Sequence, residues 1–547
     1  MKDDGHAGAN PTRRVPGAGV LAVGSGPLLH ALVAALIDCG FDRIDVLLAA
    51  PADAAAADRE RLAEWADGAP SGKGKADVRE IALPGQGPEE WRELVKPFPH
   101  IVYGSGQDRI EELRLLLAAC KEMGSVVAPA LLLDRIGLAG PLAHPAFPAS
   151  WESAWRRMHR PGVCESSEAP TDMPDACALL ANVTVSLLSG SIRGRPEPVD
   201  GKALYVLELE TLEGDWHPFL PHPLAKEAAV GRIVSPTKDA ETMLAAAGEA
   251  FERESEETND DWFARWSGLT SKHTGIFHRW EEEELQQFPL AQCRVQAVDP
   301  VSGGPAALLP AVVCGGLTHE EARWEAAWAG IEAYVSRLAV ALVGAVSFDG
   351  IGAGESVAEA IARGLQACLD KRLAKRSAVD GPAAGSVRID MVQDERCRFY
   401  WHCLTKLRGQ PDVRVGPDVA GFPVIWVGTG ECWYGRADLN VTWALRNALQ
   451  TALLDAQNPG AADLRSHGVL KVGAALEGRE ALRGAVIPSC AERATPDVVR
   501  HALSLLHRSG LKLEASDLAL EPFLKERSGA VLGVFLRETG AGLGTDG

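Results

Sequence analysis

The segment Val20-Leu21-Ala22-Val23-Gly24-Ser25-Gly26 constrains this chain more than any other. A short apolar run leads straight into a Gly-x-Gly turn. Pro27 to Cys39 then places Leu28, Leu29, Leu32, Leu36 and Ile37 at helical spacing, Gly40 ends the helix, and Ile44 to Leu48 reads as a second strand. Strand, glycine turn, helix and strand make the start of a βαβ unit, which predicts a parallel α/β sheet with a nucleotide-type turn. Two of the groups that hold a nucleotide there are missing. Leu29 stands at the third glycine position, and the second strand runs on into Ala49-Ala50-Pro51 where a ribose-binding acid is expected. The candidate binding residues in the turn are Gly24 and Gly26. A tight turn with close helix packing is the competing reading for both.

Three blocks follow along the chain. Residues 1–16 read as a disordered tail. Residues 17–150 alternate strand and helix, with strands at Asp77 to Leu83, His100 to Gly106 and Ser125 to Leu133, and a helix at Arg109 to Met123 closed by Gly124. This order predicts a mostly parallel sheet. Residues 51–76, rich in Ala, Asp and Gly, read as a loosely packed connection. Residues 151–232 carry helices at Trp151 to His159 and Asp175 to Leu188, then an alternating strand at Leu204 to Leu212. From 233 to 547 a strand, a Gly-containing loop and an Ala-rich helix recur three times. The strands are Ala311 to Cys314, Leu342 to Phe348 and Val424 to Val427, and the helices begin near Glu320, Val357 and Asn440. A helix at Pro496 to Arg508 and strands at Leu511 to Leu520 and Ala530 to Leu536 complete the block.

At 547 residues the chain is long enough for about three or four domains. Its net charge of -19 repels nucleic acid and anionic lipid, so neither is an expected partner. No continuous apolar run reaches the ~18 residues of a membrane span, and the first residues lack a signal-peptide core. The eleven cysteines form no Cys-x-x-Cys pair and read as buried thiols of a cytoplasmic protein. Cys397 and Cys403 flank His402 on a strand-like segment, a weak zinc pattern. His217 and His222 lie five apart in a Pro-rich loop and read as structural. Ser71-Gly72-Lys73-Gly74-Lys75 has the composition of a phosphate loop without its spacing. No metal is expected.

Val20 to Leu48, together with Ile101-Val102-Tyr103-Gly104-Ser105-Gly106-Gln107-Asp108, resembles the ThiF/MoeB-type adenylating fold of the ubiquitin-activating superfamily. In that family the second segment brings an aspartate to the nucleotide and its magnesium, and Asp108 is the matching candidate. Gly124 to Pro145 resembles the later strands. The family's zinc cysteines are absent from both matching slots, Ser150 to Trp155 and Pro221 to Ala225, which implies no zinc.

The last block is similar to the YcaO family, which phosphorylates peptide amides during azoline formation. The likeness runs through Thr274-Gly275-Ile276, Ala322 to Arg337, Val357 to Lys371 and Trp443 to Gln457. Active members carry glutamates on these helices for magnesium and ATP phosphates. Here Glu332 remains, with Arg337 nearby, and both are candidate cofactor residues. Ala329, Gln366, Leu369 and Thr451 (beside Gln450) stand where glutamates are expected.

The fold class is thus α/β, a Rossmann-type ThiF-like domain at 17–150 with an extension at 151–232, followed by a degenerate YcaO-like α/β domain at 233–547. That layout resembles the ThiF-like thiazole-containing bacteriocin maturation family. The resemblance implies a partner protein that docks a precursor peptide and stimulates a separate YcaO-type cyclodehydratase, with no resident cofactor and at most weak ATP and magnesium binding. Relatives carry a leader-recognition domain ahead of the first strand. That function is then lost here, supplied by another protein, or cut off by where the sequence starts. Two other classes compete: an active ATP-dependent cyclodehydratase or adenylating enzyme, and a dinucleotide-dependent oxidoreductase, which Leu29 and the missing ribose acid weaken.

Overall fold

The computed structural model describes residues 19–49, 55–67, 77–82, 87–106, 109–144, 150–162, 173–225, 237–250, 259–343, 347–430, 432–458, 465–466, 470–473, 480–527 and 529–539. The expected tail at 1–16, the Ser71–Lys75 segment and Asp108 lie outside them. The chain divides into two units, Met1–Lys226 with Ser302–Ala307, and Glu227–Val301 with Leu308–Gly547.

Unit 1 runs β1 (Val20–Gly24), α1 (Gly26–Asp38), β2 (Arg43–Leu48), α2 (Ala55–Asp67), β3 (Asp77–Ile81), α3 (Pro88–Val95), β4 (His100–Gly106), α4 (Ile110–Met123), β5 (Val126–Leu132), β6 (Ile136–Ala139), α5 (Ser150–Arg157), α6 (Pro174–Ile192), β7 (Ala203–Glu208) and β8 (Gly214–Pro218). Its sheet has the order β3-β2-β1-β4-β5-β6-β7-β8. The first five of these strands pair in parallel and the last three antiparallel. β1 is buried along its whole length because helices cover both faces of the sheet, which is why it reads as an unbroken apolar run. Strand alternation sends Val20 and Ala22 into the core shared with α1 and α6. It sends Leu21 and Val23 into the opposite core, with α3, α4 and α5. The connection expected at 51–76 contains α2, a correction. Alanine is the best helix former, and Leu62 and Asp58 on that helix are buried.

Unit 2 runs β9 (Lys238–Asp239), α7 (Ala240–Ala250), α8 (Asn259–Ser267), β10 (Phe277–Glu281), β11 (Ala291–Ala297), β12 (Val312–Gly316), α9 (His319–Val343), β13 (Gly350–Gly354), α10 (Val357–Asp380), β14 (Gly385–Val392), α11 (Glu395–Arg408), β15 (Asp412–Val419), β16 (Phe422–Gly428), β17 (Trp433–Ala437), α12 (Val441–Gln457), β18 (Arg465–Ser466), β19 (Leu470–Val472), β20 (Glu480–Ile487), α13 (Pro496–Arg508), β21 (Leu511–Asp517), α14 (Pro522–Arg527) and β22 (Ala530–Glu538). Among the described residues it forms three sheets, β10-β11-β12-β18, β13-β22-β21-β9 and β19-β17-β16-β15-β14-β20.

The recurrence of strand, glycine loop and helix is corrected at its second copy. Leu342 and Val343 are the last residues of α9, and the presumed loop Gly350–Gly354 is itself strand β13. Its glycines serve helix packing. A Cβ on Gly352 would lie 2.1 Å from the Ala360 carbonyl oxygen, and one on Gly350 would lie 2.1 Å from that of Gly364, so only glycine lets α10 sit against this strand. The segment Cys397 to Cys403 lies in helix α11, not a strand. Asp394 caps that helix by accepting from the Cys397 amide at 2.9 Å, and Cys397, Tyr400 and Leu404 make its buried stripe. α6 and α9 are long and apolar enough to cross a bilayer, although no continuous apolar run signalled it. In the structure 44% and 67% of their apolar windows are buried.

Candidate functional site

Unit 2 holds a cleft of about 290 Å³ whose lining draws mainly on helices α9, α10 and α12, with residues of α11, β12 and β17. α9 contributes Glu321, Trp324 and Glu325, spaced three and four apart so that they share one face. α10 contributes Glu359, Arg363, Gln366 and Asp370 by the same rule, and α12 contributes Arg446, Asn447, Gln450 and Thr451. Each helix start is fixed locally where a cap is present. Ser356 caps α10 by accepting from the Glu359 amide at 3.2 Å, and Asn440 caps α12 by accepting from the Trp443 amide at 2.9 Å. Behind Trp324, a cluster of Trp262, Trp266 and Trp328 stiffens the wall, with Trp262 stacked on Trp324 at 3.8 Å.

The cleft carries many charges, and its carboxylates are already bound. Glu321 accepts from both terminal nitrogens of Arg396, at 3.1 and 2.8 Å, and from the Leu317 amide at 2.9 Å. Burial pushes the Glu321 carboxyl up, but these donors overcome it and leave the group below its ordinary value. Glu325 accepts from Arg363 at 2.7 Å, Asp370 from Arg436 at 2.7 Å, and Glu492 from Arg396 at 3.1 Å. Glu359 also accepts from the Glu355 amide at 3.2 Å, one residue ahead of the Ser356 cap. Burial raises its carboxyl above the ordinary value, with Arg363 pulling the other way. Asp438, fully buried and outside the lining, accepts from the lining residues Gln366, Asn447 and Arg436.

This arrangement can be tested against magnesium and ATP. A magnesium ion requires near-octahedral oxygen ligands at about 2.0–2.1 Å, including carboxylates free to turn toward it. Each acid that lines the cleft is instead engaged by an arginine or a backbone amide. Among the described residues no group of three or more His, Cys, Asp and Glu is arranged to hold a metal ion. The residues present do not fit a magnesium–ATP centre.

The residues singled out in the sequence fall in several places. Glu332 is 5% exposed on α9, two turns beyond Glu325, and does not line the cleft. Its Oε1 accepts from the Ala353 amide at 3.0 Å and from Arg363 Nε at 2.7 Å, which ties β13 and α10 to α9. Arg337 sits on the solvent side of α9, half exposed, and donates to Asp299 at 2.9 Å. Gln366, Gln450 and Thr451 do line the cleft, and Gln450 donates to the Gly315 carbonyl at 2.7 Å. Leu369 is buried in the apolar core, and its neighbour Asp370 is the residue that faces the cleft. The sequence reading missed Glu325, Glu359, Asp370 and the arginines at 363, 396, 436, 446 and 493. The signals for some of them were present: the Ser356-x-x-Glu359 spacing, and Glu325 two turns before Glu332.

Gly24 and Gly26 lie at the turn after β1, with φ of +153° and +69°. A Cβ on Gly24 would meet the Gly104 carbonyl oxygen at 1.9 Å, so this glycine is required where β1 and β4 run side by side. Cys397 and Cys403 are six residues apart on α11, about 120° apart around the helix axis, and so face different directions. Burial pushes both thiols up. His222 is buried, with Nδ1 accepting from the Leu224 amide at 3.2 Å, while burial lowers the half-buried His217.

Neither protein-family models nor curated proteins match this chain. Among solved structures, a heterocyclase in complex with substrate and cofactor matches with a TM-score of 0.57 and 10% identity, covering 95% of this chain and 81% of that one. The heterocyclase TruD matches at 0.46 and 12%, covering 95% and 78%. Escherichia coli MccB with succinimide matches at 0.28 and 12%, covering 37% and 63%. The first of these shows that the chain has the α/β fold of that heterocyclase along nearly its whole length.

Proposed function

We propose that this chain serves azoline formation on a ribosomal peptide as a non-catalytic partner. It docks the precursor and supports a separate YcaO-type cyclodehydratase. The observation that carries the reading is the heterocyclase fold combined with a cleft whose carboxylates are engaged by Arg363, Arg396, Arg436 and backbone amides. Phosphoryl transfer needs charge placed on the transferring oxygens, usually by metal ions that free carboxylates hold. Arginines that neutralise those carboxylates keep the architecture and withdraw the ligands, so the surviving use of the fold is its shape. The thiazole-type bacteriocin pathway named by the sequence resemblance is the setting this reading expects.

The test mixes precursor peptide, ATP and the cyclodehydratase with and without this chain. Mass spectrometry follows the loss of one water for each azoline formed. The expected result is no dehydration by this chain alone, faster dehydration when it joins the enzyme, and co-elution of the two proteins on gel filtration. Dehydration by this chain alone, or no effect of adding it, refutes the reading.

A further inference from the structure

A Rossmann turn binds phosphate because the first amides of its helix are open and the helix dipole favours negative charge there. In this chain α1 lacks a cap of its own. Ser25 makes no side-chain cap hydrogen bond, the first turn holds no acidic residue, and Pro27 has no amide hydrogen. The amide of Gly26 still has an acceptor. It donates to Asp58 Oδ2 at 3.1 Å, across 32 residues of sequence. Asp58 belongs to α2 and is 5% exposed. Its other oxygen lies 2.9 Å from Nε2 of His30, one turn along α1.

One carboxylate oxygen on the first helical amide and one on a neighbouring side-chain nitrogen is the contact pattern of a phosphate at such a turn. We propose that Asp58 is a resident anion, the chain's own substitute for a ligand phosphate, and that it closes the Gly24-Ser25-Gly26 turn to nucleotides. A buried carboxylate needs donors to offset its lost hydration; the Gly26 amide supplies one, and His30 Nε2 lies in contact with the other oxygen. An incoming phosphate has to displace Asp58 from the Gly26 amide and meet its like charge at close range. The ThiF-like turn is kept as a scaffold, with its anion supplied in cis. This inference concerns unit 1 alone and does not depend on the partner reading.

The test uses Asp58→Ala and Asp58→Ser in the full chain, with pyrophosphate as the probe. Thermal unfolding is measured with and without the probe, and hydrogen exchange is followed on peptides spanning residues 24–32. The native protein should show no pyrophosphate-dependent protection there. Each variant should melt lower, recover by about 2–4 °C with saturating pyrophosphate, and gain protection in the same peptides. Asp58→Ser, a smaller disturbance of α2, gives the same readout if Asp58→Ala does not fold. Protection of residues 24–32 in the native protein overturns the inference. So does a folded variant that gains neither stability nor protection.

Discussion

Arg363→Met is the sharpest probe of how unit 2 is held together. Arg363 donates to Glu332 through Nε at 2.7 Å and to Glu325 at 2.7 Å. Glu332 is 5% exposed, and the Ala353 amide also donates to it. Removing the guanidinium takes the arginine partner away from a buried carboxylate, a defect that costs about 3–5 kcal/mol. The contact to Glu325 adds little, because that side chain is 47% exposed and its charge is screened. Glu332→Gln combined with Arg363→Met removes the buried charge, keeps an acceptor for Ala353, and should recover most of the loss. The coupling energy between the two positions is then about 2–3 kcal/mol. Urea unfolding monitored by hydrogen exchange of α10 amides measures it, since β13 and α10 are the elements this carboxylate ties to α9. A loss below about 0.5 kcal/mol in Arg363→Met, or simple additivity in the double variant, refutes the claim that this pair neutralises a buried charge.

Two further outcomes are expected. Burial raises the Glu359 carboxyl in the folded state, so its contribution stabilises the fold below the unfolded value near ~4.3 and is lost as pH rises through the raised folded value. Glu359→Gln should therefore be more stable than the native chain at pH ~7, with the gap closing toward pH ~4; urea midpoints that differ by a constant amount across this range would contradict it. Gly352→Ala places a methyl group 2.1 Å from the Ala360 carbonyl oxygen and should destabilise unit 2 by about 3 kcal/mol or more, whereas Gly473→Ala, with nothing within 4 Å, should stay within about 0.5 kcal/mol; equal melting temperatures for the two variants would show that the strand and helix can separate freely.

Much of the fold was legible in local patterns. β1, α1 and β2 were visible because a central parallel strand buried on both faces must be apolar throughout, and a helix on such a sheet must carry apolar residues at a period near 3.6. The sequence places the starts of α12 and α13 near Asn440 and Pro496, and in the structure Asn440 and Thr495 cap those helices. The glycines of β13 misled for a physical reason. Glycine allows a turn, and it equally allows a helix to lie against a strand, and only the partner backbone distinguishes the two uses.

The candidate site divided along the same line. The residue types on α9, α10 and α12, Gln366 and Thr451 among them, can be read from the chain. The fate of the remaining acids was decided by residues far away in sequence. Arg396 reaches Glu321 across 75 positions, Arg436 reaches Asp370 across 66, and Asp58 reaches Gly26 across 32. Hydrophobic periodicity and capping act within a few residues, so the sequence by itself determined which elements form and which faces they bury. Charge pairing acts through space between elements that only the packed fold brings together, so the tertiary structure alone decided which arginine or amide each of these carboxylates meets.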